Sequence, residues 1–183
     1  MTDQETNDGG ELTPPVGPGD HVRGPAEAPT TVVVYGDYEC PYTRRALQAI
    51  TRLEHRIGDE FRLVFRHFPL REIHPNAEPA AELAEAASDR GQFWEVHDHL
   101  FAHQDALDPA HLSTYAVQFG IPSEGSDPGH FEAGHRYAER IEEDFQGGLR
   151  SGVGGTPTIF INGRPHGGGY DEATLERAID LAR

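Results

Sequence analysis

The chain has 183 residues, which suits one domain or one domain with an insertion, and 36% of them are hydrophobic, enough for a core. Its formal net charge of −16 argues against nucleic acid and anionic membranes as partners, because phosphate binding requires clustered cations. A single cysteine excludes an intramolecular disulfide, and with it the disulfide-stapled secreted folds.

The N-terminal stretch MTDQETNDGG is acidic and polar. It has neither the cationic n-region nor the apolar h-region of a secretory signal, and no later run approaches the roughly 18 apolar residues of a membrane span. We therefore expect a cytoplasmic protein that does not bind membranes and is a monomer or a weak dimer. Residues 1–19 are rich in Gly, Pro and acidic side chains and lack periodicity, which predicts a disordered tail.

A first core segment is predicted over residues 20–75. The β-branched run at 31–35 (TVVVY) is apolar on both faces, which indicates a buried central strand. Apolar residues at helical spacing follow Cys40, and Pro41 takes the first helical position, where its missing N–H costs nothing. A second apolar run at 61–68 (FRLVFRHF) completes a β-α-β unit, which is expected to have a right-handed crossover.

Residues 76–146 show only helical patterns, which predict a helical insertion of four helices. Two of these helices have a clear start signal, because Asp108-Pro109 and Asp127-Pro128 each place an N-cap residue before a first-turn proline.

Residues 147–183 are predicted to complete the core. The segment 158–161 (TIFI) has the pattern of a strand, the Asn-Gly pair at 162–163 favours a two-residue hairpin turn, and 164–166 form the return strand. A closing helix follows, so the sheet is predicted to have four strands in mixed directions. The glycines at 147–148 and in the run 152–155 suggest a mobile hinge between insertion and core.

Cys40 lies between a predicted strand and a helix N-terminus. The first-turn amides and the helix dipole favour a thiolate there by up to about 2 kcal/mol. Glu39 opposes this, because a unit charge ~7 Å away costs roughly 0.6 kcal/mol in water and more in a drier site. The alternative is a buried cysteine that serves as a small hydrophobe. The Pro41 signal favours the reactive interpretation.

A second candidate element is Thr156-Pro157, directly before the third predicted strand. A proline cannot donate to a strand ladder, so it requires either an ordinary trans bond at the first residue of the strand or a cis bond in a tight loop. The residues alone leave both open.

These segments together resemble the DsbA family of thioredoxin-fold proteins, and in particular the branch that is also found fused to sodium/proton antiporters. The similarity runs in order from Asp20 onward through four stretches: residues 20–42, 65–70 (FRHFPL), 93–97 (FWEVH) and 155–163 (GTPTIFING). It implies an α/β thioredoxin-like fold, a central mixed sheet flanked by helices, with a helical insertion. It also implies a cis Thr156–Pro157 bond facing Cys40.

The resemblance places the catalytic residues in the Cys-Pro-Tyr-Thr motif (Cys40, Pro41, Tyr42 and Thr43) and at Thr156 and Pro157. Dithiol members carry a second cysteine where Thr43 stands. A hydroxyl stabilises a thiolate by hydrogen bonding but does not attack a disulfide. We therefore expect a monothiol oxidoreductase whose mixed disulfide is resolved by glutathione or another protein thiol, with no bound cofactor.

Two alternatives remain open at this stage. One is a catalytically inactive member of the family that uses the fold to bind peptides or other proteins. The other is a protein similar to glutathione transferases and isomerases, relatives in which a hydroxyl residue replaces the nucleophilic cysteine that this chain keeps.

We expect structural roles for three histidines and for the two arginines that follow the motif. His97 and His99 point to opposite sides of a helix, and no acidic pair completes a site with His103, so no metal is expected. Arg44 and Arg45 are expected to form a solvated helix face that is able to attract an acidic ligand.

Overall fold

The computed structural model describes residues 10–123, 131–133 and 135–183. The strands in this part of the chain are β1 (His21–Arg23), β2 (Thr30–Gly36), β3 (Phe61–His67), β4 (Thr158–Ile161) and β5 (Arg164–Pro165). The helices are α1 (Pro41–Ile57), α2 (Ala77–Ser88), α3 (Phe93–Ala102), α4 (Pro109–Gln118), α5 (His135–Arg150) and α6 (Glu172–Leu181).

The strands form one mixed sheet in the order β1-β3-β2-β4-β5, and helices cover it. Strands β2 and β3 are parallel, whereas the other neighbouring pairs are antiparallel. The predicted mixed α/β sheet is confirmed, but the predicted strand number was wrong. Strand β1 was missed because three residues with an exposed central Val22 carry no recognisable alternation.

The two faces of β2 explain why its sequence is apolar throughout. Val32 and Val34 belong to the larger core, to which α1, α6 and the other helices contribute, whereas Val33 and Tyr35 belong to a smaller core on the opposite face. A strand buried on both faces has no polar side to show. Its C-terminal end at Gly36 is therefore buried, and the residues that follow lead directly to the start of α1.

Helix α1 buries the stripe that the sequence predicted. Ala46, Leu47, Ile50 and Leu53 face the core, and the helix also packs against α6. The interval 76–146 holds α2, α3, α4 and most of α5, and none of its described residues is in a strand. The helix start predicted at Asp127-Pro128 lies outside the described residues.

Helix α5 runs without a break through residues 147–148, where the sequence predicted a mobile hinge. A Cβ on Gly148 would lie 2.7 Å from the Phe68 ring and 3.1 Å from the Tyr35 ring. Gly148 therefore allows α5 to approach the sheet closely, which is a packing role. At 147–148 the hinge prediction was wrong, because a glycine pair in a sequence does not distinguish a flexible joint from a close contact. At 152–155 it stays a prediction.

The segment 10–19 is ordered, which corrects part of the predicted disordered tail; residues 1–9 lie outside the described residues. Leu12 is buried, and its amide donates to the Gly163 carbonyl at 2.9 Å. The Arg66 guanidinium donates to the Pro14 and Pro15 carbonyls at 2.9 and 3.2 Å. Tertiary hydrogen bonds thus hold a segment whose composition alone is typical of disorder. Among the described residues, no helix is long and apolar enough to cross a bilayer.

Candidate active site

Cys40 is the N-cap residue of α1, and the predicted helix start is observed. Its backbone is extended (φ −75°, ψ 116°), and Pro41 follows in the first turn. The Cys40 amide donates to the Asp37 carbonyl at 3.1 Å, while the Arg44 amide donates to the Cys40 carbonyl at 3.2 Å. Cys40 is therefore held on both sides by the backbone, at the positive end of the helix dipole.

Cys40 and Thr156, far apart in the sequence, are brought together. The Cys40 thiol donates to the Thr156 carbonyl oxygen at 3.2 Å, and the Thr156–Pro157 peptide bond is cis. Cys40 is only 3% exposed. Close to this contact, the Thr156 side-chain oxygen is buried without a hydrogen-bond partner among the described residues. The contact joins the α1 N-terminus to the loop that precedes β4.

Thr43 faces the protein interior. It is fully buried, and its Oγ1 accepts from the Asp37 amide at 3.4 Å. Its methyl group lies against Gly36, where an added Cβ would be 2.8 Å away. The sequence suggested that this hydroxyl hydrogen-bonds the thiolate; the observed partner is the backbone that leads to Cys40.

The outer edge of the motif is exposed. Tyr42 is 58% exposed, Pro41 is also at the surface, and the Arg45 guanidinium lies 5.7 Å from the centre of the Tyr42 ring. Across the site, the Tyr170 hydroxyl donates to the Pro157 carbonyl at 3.0 Å. One tyrosine is therefore part of the motif on α1, and another, from the segment before α6, contacts the loop that holds Thr156.

Asp37 is a functional candidate that sequence reasoning missed. Its carboxylate is buried and accepts from the amides of Glu39 and Leu70, both at 2.7 Å, and from His74 Nδ1 at 2.8 Å. A buried carboxylate with three donors stabilises the turn between β2 and Cys40. The only local sign was its place directly after a predicted strand.

Gln104 is a second missed residue. Its Nε2 donates to the Tyr38 carbonyl at 2.7 Å and to the Cys40 carbonyl at 3.0 Å, although it follows α3. Glu39, expected to oppose a thiolate, accepts from the Asn76 amide and side chain at 2.6 and 3.0 Å. Its carboxylate is thus turned toward the start of α2.

Tyr38 and His97 form a buried pair behind the motif. The Tyr38 hydroxyl and His97 Nδ1 share a 3.0 Å hydrogen bond. Burial raises the pKa of Tyr38 well above its usual value and lowers the pKa of His97 well below its usual value. Both groups are therefore neutral near pH 7, and His97 has the packing role that the sequence predicted.

The side-chain contacts observed for His99, His103 and Arg44 do not involve the thiol. The rings of His99 and His103 are 4.1 Å apart at their centres, and His103 Nδ1 contacts the His99 carbonyl. Arg44 lines a cleft of about 1080 Å³ between α1 and α3, and Cys40 does not line this cleft. The structure brings neither feature to the sulfur.

Comparison with known proteins agrees with this geometry. Residues 17–181 match the family model described as Thioredoxin. The chain is 48% identical over 176 residues to "Na(+)/H(+) antiporter NhaA 1" of Salinispora arenicola and 38% identical over 176 residues to "Na(+)/H(+) antiporter NhaA" of Herminiimonas arsenicoxydans. Each match covers 94% of this chain but only 26% and 27% of those proteins, so the chain spans about a quarter of their length.

Solved structures show the same fold. BdbD from Bacillus subtilis, in its oxidised form, superposes with a TM-score of 0.77 at 22% identity, over 96% of this chain and 98% of that one. A thioredoxin-like oxidoreductase from Silicibacter pomeroyi gives 0.76 at 25% identity, over 91% and 94%. The chain therefore belongs to the Thioredoxin family, and it is homologous to one region of proteins named as sodium/proton antiporters.

Proposed function

We propose that this protein is a monothiol thiol-disulfide oxidoreductase, in which Cys40 forms a mixed disulfide that glutathione or another external thiol resolves. The observation that carries the proposal is the position of the thiol. It lies at the N-terminus of α1, 3.2 Å from the Thr156 carbonyl, on a scaffold shared with oxidoreductases. A cysteine that only filled the core would not need this placement.

The reaction begins with the Cys40 thiol giving up its proton and its hydrogen bond to Thr156. The sulfur then attacks one sulfur of a disulfide, so that the substrate S–S bond breaks and a new S–S bond to Cys40 forms. The departing sulfur leaves as a thiolate and takes up a proton. Pro41 has no N–H, so the amides of Tyr42 and Thr43 are the first-turn donors that a thiolate at Cys40 would meet; neither donates to the sulfur at rest.

Release requires a second thiol from outside this chain, because Cys40 is its one cysteine. An external thiolate attacks the sulfur bonded to Cys40, forms a new disulfide with it and restores the Cys40 thiolate. Glutathione is the small-molecule thiol that we propose for this step. The exposed Tyr42 and the backbone around Thr156 are proposed to contact the incoming disulfide.

The test is intact-mass analysis after incubation with oxidised glutathione near pH 8. We expect one glutathione per wild-type chain and none on Cys40→Ser. Uptake by the folded wild type that reduced glutathione then reverses supports the proposal. Uptake only after denaturation would overturn it, because Cys40 would then be a buried structural residue.

A binding role is the second candidate, and one comparison favours it. The curated relatives carry the matching region as about a quarter of an antiporter. A redox-inactive domain that binds an antiporter would need the fold but not the thiol. Binding of wild type and Cys40→Ser to the antiporter part of the Salinispora arenicola protein, purified in detergent, decides this point. Equal affinities, with no glutathione uptake, support binding.

A further inference from the structure

Three metal-ligating side chains from three different elements meet away from Cys40. His21 Nε2 on β1 and His67 Nε2 at the end of β3 lie 2.7 and 2.8 Å from the same Glu85 oxygen, Oε1, on α2. All three ligand atoms lie within 4.8 Å of one another, and no other group of this kind occurs within the described residues. None of these residues takes part in the proposed chemistry at Cys40.

From this cluster we propose that His21, His67 and Glu85 form a binding site for a divalent transition-metal ion, with Zn²⁺ as the ion that fits best. Two imidazole nitrogens and one carboxylate oxygen are ligands that zinc accepts, with a fourth position left for water. At zinc–ligand distances of about 2.0–2.1 Å, neighbouring ligand atoms of a tetrahedral site are about 3.3 Å apart. The two nitrogen–oxygen distances therefore need to open by only about 0.5 Å.

The local charge favours a cation. Glu85 and Asp144 are both buried beside His67, since Asp144 accepts from the His67 amide at 3.0 Å. Arg140 pairs with Asp144 and also acts on Glu85 through its charge, but among the described residues no arginine makes a salt bridge to Glu85. Burial would raise the pKa of Glu85, but the hydrogen bonds to His21 and His67 outweigh it and lower the pKa. Glu85 is thus anionic, as a metal ligand must be.

Neighbouring residues hold the ligand side chains in place and leave the site accessible from one side. The His21 ring stacks on the Phe93 ring, with their centres 3.5 Å apart and their planes 6° from parallel. The His67 side chain is 1% exposed, whereas that of His21 is 11% exposed, so an ion and its water ligand would enter from the β1 side. His67 Nδ1 has no hydrogen-bond partner among the described residues, so Nε2 makes the polar contact of this ring.

A metal ion at this site would stabilise the sheet next to the turn that leads to Cys40. His67 is the register partner of Gly36, and the following Phe68 amide donates to the Gly36 carbonyl at 2.8 Å. The residues that lead to Cys40 begin at Gly36. The ion would therefore have a structural role and would not contact the thiol.

The test is zinc binding by the full chain after treatment with a chelator and buffer exchange. We expect one Zn²⁺ per wild-type chain and a rise in melting temperature on adding ZnCl₂, because an ion that binds only the folded state stabilises it. His21→Asn and Glu85→Gln should each weaken binding by more than about tenfold, since even residues behind metal ligands contribute 10–100-fold. His21 is on an edge strand and partly exposed, so its variant is the one expected to fold normally.

Two controls exclude other ligands. Cys40→Ser removes the thiolate, and the double variant His99→Asn/His103→Asn removes the other close histidine pair; both should bind zinc like the wild type. The proposal is overturned if the wild type binds no added zinc and its melting temperature does not change. It is equally overturned if folded His21→Asn binds zinc as tightly as the wild type. In either case hydrogen bonds alone hold His21, His67 and Glu85 together.

Discussion

The Cys40 thiol lies 3.2 Å from the Thr156 carbonyl oxygen, although the two residues are 116 positions apart. The contact joins the end of the β2–α1 connection to the loop before β4. Because the thiol donates in this hydrogen bond, attack on a disulfide must break it. The same contact keeps the sulfur beside backbone that an incoming substrate would meet.

Thr43→Cys should convert the monothiol site into a dithiol site. The new sulfur would lie three residues after Cys40, about one helical turn away, at a separation that disulfide geometry permits. We expect an internal disulfide and catalysed reduction of a protein disulfide over many turnovers. The wild type should stall after one mixed disulfide. The resolving step becomes intramolecular, with an effective thiol concentration far above that of free glutathione. An insulin-reduction assay measures the difference.

Thr43→Ser is the matched control, because it keeps the hydroxyl next to the Asp37 amide but adds no sulfur. It should react like the wild type. If Thr43→Cys folds and forms its disulfide yet exchanges no faster than Thr43→Ser, the surface around Cys40 is not a substrate site and the binding role is favoured.

Gln104→Met should loosen the backbone that carries Cys40. Methionine has a similar length but donates no hydrogen bond to the Tyr38 and Cys40 carbonyls. The Tyr38 carbonyl would lose its donor, whereas the Cys40 carbonyl would keep the Arg44 amide. Leaving a buried acceptor without a donor costs about 1–3 kcal/mol in unfolding free energy. Urea denaturation measures this loss, and the rate of glutathione uptake at Cys40 should also change. Gln48→Met, at an exposed site on α1, should change neither quantity; equal effects of the two substitutions would refute the assigned role of Gln104.

Gly148→Ala should destabilise the protein by about 1–3 kcal/mol, the usual cost of overpacking a core. The added methyl group would meet the Phe68 ring at 2.7 Å, and the gain in helix propensity is smaller than this clash. Gly154→Ala is the control, because its Cβ would meet nothing within 4 Å. Thermal unfolding of both variants tests the packing role. A mobile hinge at this position would instead tolerate alanine, and Gly148→Ala would then be as stable as the wild type.

The buried Asp20–Arg66 pair should make stability depend on pH in acid. Burial alone would raise the Asp20 pKa, but the hydrogen bond from Arg66 and the charges of Arg66 and Arg140 lower it. A carboxylate with a lowered folded pKa contributes stability above its unfolded pKa of about 3.9. It loses that contribution as the pH falls through the folded value. Asp20→Asn should therefore be less stable than the wild type at pH 7.

The difference in unfolding free energy between wild type and Asp20→Asn should shrink as the pH is lowered from 5 toward 2 in urea titrations. Asp59→Asn, at an exposed position, is the control and should follow the wild type throughout. A constant difference between Asp20→Asn and wild type over this range would show that the ionisation of Asp20 does not contribute.

The sequence alone predicted the order of the longer elements and a thiol at a helix start, but not the short strand β1. A β-branched run predicts β2 because a strand buried on both faces must be apolar throughout. Cys40 followed by Pro41 predicts a thiol at a helix start because proline is tolerated in the first turn. Both signals are local, so neighbouring residues carry them. The similarity at Gly155–Gly163 added the expectation that Thr156 faces the cysteine.

Only the tertiary structure decided which residues surround that thiol. Gln104 reaches the Cys40 carbonyl because α3 ends beside the active-site turn, and Thr43 turns inward because Gly36 leaves room for its methyl group. His21 and Glu85 meet because β1 pairs with β3 next to α2, although nothing near either residue in the sequence marks the other. Contacts between distant segments depend on how whole elements pack, and local patterns do not contain that information.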